Sequence, residues 1–105
     1  MGPMEQRRDG LLTLRNSYAG TSYCMRLSGE LDLESVGSFA AEITRMEDSG
    51  AEEMVVDLSQ LEFIDRRGMA ALASAERRFR AAGRHLHLLG EPRRFARRAR
   101  VAAVL

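Results

Sequence analysis

Residues 54–83 read MVVDLSQLEFIDRRGMAALASAERRFRAAG, and this stretch decides the fold class. Met54-Val55-Val56-Asp57-Leu58 is compact and β-branched, the signature of a strand. Leu61, Phe63 and Ile64 carry an apolar path onward through a short connection. Asp65 then stands where a helix needs an N-cap acceptor. Behind it Gly68, Leu72, Ala75, Phe79 and Ala82 fall at i, i+4, i+7, i+11 and i+14, one apolar stripe of an amphipathic helix. Gly83 ends that stripe, because glycine takes the left-handed cap conformation cheaply.

Working outward, His85-Leu86-His87-Leu88-Leu89 alternates as the next strand, and Gly90-Glu91-Pro92 turns the chain. Pro92 suits the first position of a last helix, with Arg93, Arg94, Arg97, Arg98 and Arg100 arranged around Phe95, Ala99 and Ala102. On the amino-terminal side, Leu11 to Asn16 alternates, Asn16 to Gly20 has turn composition, and Tyr23, Met25 and Leu27 alternate again. These two strands should pair as a hairpin. Gly29-Glu30-Leu31-Asp32 leads into a helix with Asp32 as N-cap, the stripe Val36, Phe39, Ala40, Ile43 and Met46, and Gly50 at its end. Residues 1–10 read as a loose tail and 11–105 as one domain. The resulting order, β-β-α-β-α-β-α, implies an α/β fold: a mixed four-stranded sheet, its helices packed mainly on one face.

Composition narrows the function. No apolar run approaches bilayer-spanning length, so no membrane insertion is expected. Cys24 is the lone cysteine, which excludes an intrachain disulfide and any cysteine-built metal site and suits a reducing cytoplasm. The formal net charge is +1, yet residues 1–65 hold 5 Arg against 13 acidic residues, whereas residues 66–105 hold 11 Arg against Glu76 and Glu91. Such a division fits an acidic partner, nucleic acid or a lipid surface, but solvated helix faces account for it more simply, and no direct nucleic-acid contact is expected.

Catalytic patterns are missing. His85 and His87 share a strand face but lack further ligands at a readable spacing, so no metal is expected. Nothing near Cys24 marks it as an activated nucleophile. The acidic residues Glu47, Asp48, Glu52 and Glu53 surround a helix-to-strand turn, where a solvated loop explains them better than acid–base chemistry. Neither a phosphate-cradling glycine loop nor a nucleophile elbow is present. The reading is a non-enzyme without cofactor.

Three segments in order, RLSGELD at 26–32, VVDLSQLEFID-x-x-G-M at 55–69 and AAGRHLHLLG at 81–90, resemble the STAS domain family over about residues 11–100. That family comprises anti-sigma factor antagonists and cytoplasmic regulatory domains of sulphate transporters. The resemblance implies the STAS (SpoIIAA-like) fold. It also implies a stand-alone regulator that docks an anti-sigma factor of the serine-kinase type, as a monomer or weak homodimer, in partner switching that controls transcription. The alternative is a soluble regulatory subunit of a membrane transporter for lipid or anion.

In the antagonists a hydroxyl just before the glycine of the Asp-x-x-Gly segment is phosphorylated by the partner, and the added charge breaks the complex. Here the segment is Asp65-Arg66-Arg67-Gly68, so Arg67 stands at the phosphoacceptor position. Ser59 and Ser74 are the nearest hydroxyls. The resemblance places the partner surface at Asp65, Arg66, Arg67, Gly68 and Met69, with Ser59 and Asp32 beside it. Two readings of the arginine pair stand side by side: an anion site at a helix start, or a lost phosphosite into which exposed arginine drifted.

Overall fold

The computed structural model describes residues 4–95, with side chains from residue 10 onward. Six strands and two helices follow in the order β1 (Met4–Asp9), β2 (Leu12–Ala19), β3 (Ser22–Leu31), α1 (Val36–Asp48), β4 (Glu53–Ile64), α2 (Arg66–Ala81), β5 (His85–Leu89) and β6 (Arg94–Phe95). The sheet runs β1-β2-β3-β4-β5, with β6 also on β4. β1, β2 and β3 are antiparallel neighbours, while β3, β5 and β6 lie parallel to β4. The α/β class and the mixed sheet are as expected from the sequence.

Alternation along the strands sets the two faces of the sheet. Leu12 and Leu14 of β2, Tyr23, Met25 and Leu27 of β3, Met54 and Val56 of β4, and Leu86 of β5 are buried beneath the helices. Register brings Leu14 opposite Leu27, Met25 beside Val56, and Met54 beside Leu86. From above, α1 contributes Phe39, Ile43 and Met46, and α2 contributes Leu72, Ala75 and Phe79. Each fully buried phenylalanine is worth about 1.5–3 kcal/mol of transfer free energy. The helices touch each other, and Arg78 of α2 bonds to Glu47 of α1 across that contact. Both helices end as Gly50 and Gly83 predict. The φ angles are 98° and 75°, and in each case the next residue's N–H reaches back five positions, Ala51 to Met46 O and Arg84 to Phe79 O.

Several expectations are corrected. Residues 4–9, read as a tail, pair antiparallel with β2 through the two-residue Gly10-Leu11 turn, while residues 1–3 lie outside the described residues. The turn expected over Asn16–Gly20 shrinks to Gly20-Thr21, because stacking of Tyr18 on Tyr23 (5.0 Å between ring centroids) extends the hairpin to its tip. Ser35, not Asp32, is the N-cap position of α1, and its hydroxyl makes no cap bond. Of the predicted stripes, Ala40 and Ala82 are exposed. β4 does not stop at Leu58 but continues to Ile64, with extra residues in β4 where its pairing to β3 shifts. The last helix does not begin at Pro92: Arg93 N–H donates to Leu61 O (2.8 Å), and Arg94 and Phe95 pair with Phe63 and Ile64. β5 ends opposite Asp57, so the rest of that β4 edge has backbone groups to satisfy, and the returning chain satisfies them. Residues 96–105 of the expected helix lie outside the described residues.

One buried polar group had no sequence signal. Asn16 and Glu42 are almost fully buried, and Asn16 Nδ2 donates to Glu42 Oε2 (2.6 Å), which also accepts from Arg45. This ties β2 to α1. Asn16→Ala removes a neutral donor from a buried carboxylate and should lower stability by about 1–3 kcal/mol, read as a shift in the urea midpoint at constant slope.

Candidate functional site

The surface at the start of α2 is built by one carboxylate. Asp65 Oδ1 accepts from Gly68 N–H (2.9 Å), the N-cap bond expected from the sequence, and Oδ2 accepts from Leu33 N–H (3.2 Å) in the loop before α1. Asp65 N–H in turn donates to Leu31 O (3.2 Å). The Leu33 loop has its own lock: Ser35 Oγ donates to Glu30 O (2.9 Å) and accepts from Asp32 N–H (3.1 Å), while Asp32 Oδ1 accepts from Glu34 N–H (3.1 Å). Asp32 therefore shapes the loop that Asp65 holds, although it caps no helix.

Gly68 is required by the closeness of that contact. A Cβ there would lie 2.5 Å from Leu31 O and 2.7 Å from Ile64 Cγ1. The helix start is pressed onto the sheet, and what remains outside is Arg66, Arg67, Met69 and Leu33, all exposed. Arg66 and Arg67 form no ion pair among the described residues. The structure thus brings together Asp32, Asp65, Arg66, Arg67, Gly68 and Met69. Leu33, 59% exposed, was missed by the sequence reading; its one signal there is an apolar residue between Asp32 and Glu34 with no place in either stripe.

Ser59 belongs to a different cluster. It lies within β4, and its N–H and Oγ both donate to Asp57 Oδ1 (2.9 and 2.7 Å). Asp57 Oδ2 faces Arg26 Nε at 3.2 Å. Burial alone would raise the Asp57 carboxyl; the Ser59 hydroxyl and amide bonds and the Arg26 guanidinium outweigh it and hold the group below its ordinary value. Burial pushes the neighbouring Cys24 thiol up, opposed by the charge of Arg26 and reinforced by that of Asp57, so Cys24 is no activated thiolate. His85 and His87 stand exposed with rings 6.2 Å apart, and His87 Nε2 lies 3.5 Å from Glu53 Oε1. Among the described residues no group of three or more His, Cys, Asp or Glu side chains converges to hold a metal. Nor is any helix among them long and apolar enough to cross a membrane.

A second surface feature adjoins the α2 start. An apolar groove of about 490 Å³ runs between α2 and the β5–β6 connection, walled by Met69, Leu72, Leu88, Pro92 and Phe95. Met69, Leu88 and Phe95 are each about half exposed there. The sequence places Leu88 on a strand and Phe95 in a helix; Leu88 does stand on β5, and the pairing of β6 with β4 brings Phe95 to the same groove.

A protein-family model described as "Mlab, STAS domain" matches residues 14–104. Among solved structures, the STAS domain of an anti-sigma factor antagonist from Rhodobacter sphaeroides is similar at 24% identity, covering 77% of this chain and 88% of that one, with a TM-score of 0.65. The unphosphorylated anti-sigma factor antagonist SpoIIAA is similar at 20% identity over 89% and 96%, TM-score 0.64. An anti-sigma factor antagonist from Mycobacterium paratuberculosis matches at 20% over 89% and 77%, TM-score 0.60. At these identities the structures share the fold.

Two outcomes follow from the site geometry. Gly68→Ala forces backbone and side chain apart and should cost at least about 2 kcal/mol in urea unfolding. Asp57 has a folded pKa below its unfolded one, so its stabilisation is present above about pH 4 and is lost as pH falls through the folded value. The stability gap between wild type and Asp57→Asn should accordingly be constant near neutrality and close on acidification, measured by denaturant midpoints across pH.

Proposed function

The chain belongs to the STAS domain family, and on that premise we propose that it is a non-catalytic docking module whose recognition surface is the start of α2. The partner is a regulatory protein of the anti-sigma factor and serine-kinase type, met in the cytoplasm. The observation that carries this reading is Arg67, exposed on α2 immediately before the buried Gly68, whose N–H donates to the capping carboxylate of Asp65.

At that position a hydroxyl would gain nearly two negative charges on phosphorylation, converting an accepting surface into a repelling one. A guanidinium has no hydroxyl to modify and keeps its positive charge at every physiological pH. The contact is then permanent with respect to that switch, and this chain acts as a constitutive antagonist or as a fixed member of an assembly. Ser59 is engaged by Asp57 through both its hydroxyl and its amide, which argues against a role as substitute phosphosite. Two cations in the first turn oppose the helix dipole by roughly 0.3–1 kcal/mol each, partly offset by Asp65. On this reading the pair binds carboxylates or phosphates of the partner.

The test is titration of the purified chain against the anti-sigma kinases of its source organism, with and without ATP. Wild type should bind with ATP present and incorporate no phosphate at position 67. Arg67→Ser should accept phosphate and dissociate as it does so. Failure to bind any such kinase would end this reading; specific binding to a membrane-transporter subunit instead would establish the transport alternative.

A further inference from the structure

The outer face of α2 carries a second pattern. At 100° per residue Arg66, Ala70, Ala73 and Arg77 fall within about 60° of one another, and all four are exposed. Arg66 and Arg77 have no hydrogen bond or ion pair among the described residues, whereas Arg78 is held by Glu47 and Arg80 by Glu76. The Cα atoms that carry these two unpaired side chains are about 16 Å apart along the axis, with Ala70 and Ala73 between them on the stripe. Ala73 and Met69 also wall the apolar groove, so stripe and groove form one continuous surface. Among the described residues Glu91 is the one carboxylate lining that groove, which directs negative charge on a partner toward the α2 side.

We infer that this surface takes an acidic amphipathic helix of the partner, laid along α2. Its apolar side chains enter the groove beside Met69, Leu88 and Phe95. Carboxylates about three turns apart meet Arg66 and Arg77, and the alanines between allow close approach of the two helices. A phosphate backbone would call for a continuous basic track, and among the described residues Ala70 and Ala73 interrupt this stripe between its arginines. This inference rests on the docking reading above and specifies the chemistry of what docks.

The probes are a synthetic amphipathic helical peptide with leucines on one face and Glu at both ends of an eleven-residue spacing, its twin with Lys at those positions, and phosphatidylglycerol vesicles. Binding is followed by amide NMR shifts of the full chain. The acidic peptide should saturate with shifts centred on Met69, Ala73 and Leu88, and the Lys twin should bind at least roughly tenfold more weakly. Arg66→Glu with Arg77→Glu should reverse the preference. Ala73→Gln, an exposed substitution that leaves the fold intact, should weaken the acidic peptide by blocking close approach. No saturable binding, equal binding of both peptides, shifts on the opposite sheet face, or the same response to vesicles would overturn the inference. Kinase binding without peptide binding removes this inference alone, and peptide binding without kinase binding removes the choice of kinase-type partner alone.

Discussion

The carboxylate of Asp65 is the constraint on which the presented surface depends. One oxygen caps α2 through Gly68, and the other holds the loop before α1 through Leu33. Two segments more than thirty residues apart in sequence are thereby fixed to each other at the carboxyl ends of the interior strands β3 and β4. Because Gly68 lies against Leu31 O and Ile64, the start of α2 packs directly on the ends of β3 and β4 with no room for a side chain between. Arg66, Arg67 and Met69 consequently project from a base fixed to the sheet.

The same end of the molecule owes its groove to a change of partners along β4. β5 pairs with β4 from Glu53 to Asp57, and β6 resumes on the same edge at Phe63 and Ile64. Between them the chain swings out through Gly90 and Pro92, tethered by Arg93 N–H to Leu61 O. A hollow opens under that excursion, floored by Leu58 and Ile64. Apolar side chains that a continuous strand would have packed inward or sideways are left half exposed around it. The Asp57 cluster lies beside this transition, where Ser59 packs closely against Gly90, and its satisfied carboxylate lets β4 carry a buried charge through the irregular stretch.

Legibility of the site followed from the range of the interactions involved. The Asp65 cap and the Gly68 position are local, spaced by three residues, and the sequence carries them openly. The bond from Asp65 to Leu33 is not local, so Leu33 passed as an unremarkable loop residue. Ser59 was assigned to a connection because Gln60 and Glu62 break the apolar run. Bulged pairing with β3 nonetheless keeps that run in the sheet, and Asp57 claims the hydroxyl. Pro92 is a sound helix-start signal, overridden here because the exposed edge of β4 offered backbone partners that a helix could not satisfy.

By itself the sequence determined the α/β class, the two helices with their glycine ends, and the Asp65-Arg66-Arg67-Gly68 segment at the start of α2. Each is written in spacing over fewer than about twenty residues, where periodicity and backbone sterics act directly. Tertiary structure alone decided the strand at residues 4–9, the buried Asn16–Glu42 bond, the Arg26–Asp57–Ser59 cluster and the groove beside α2. Those depend on strand register and on which edge the chain returns to, and register is a property of the assembled sheet, not of any one segment.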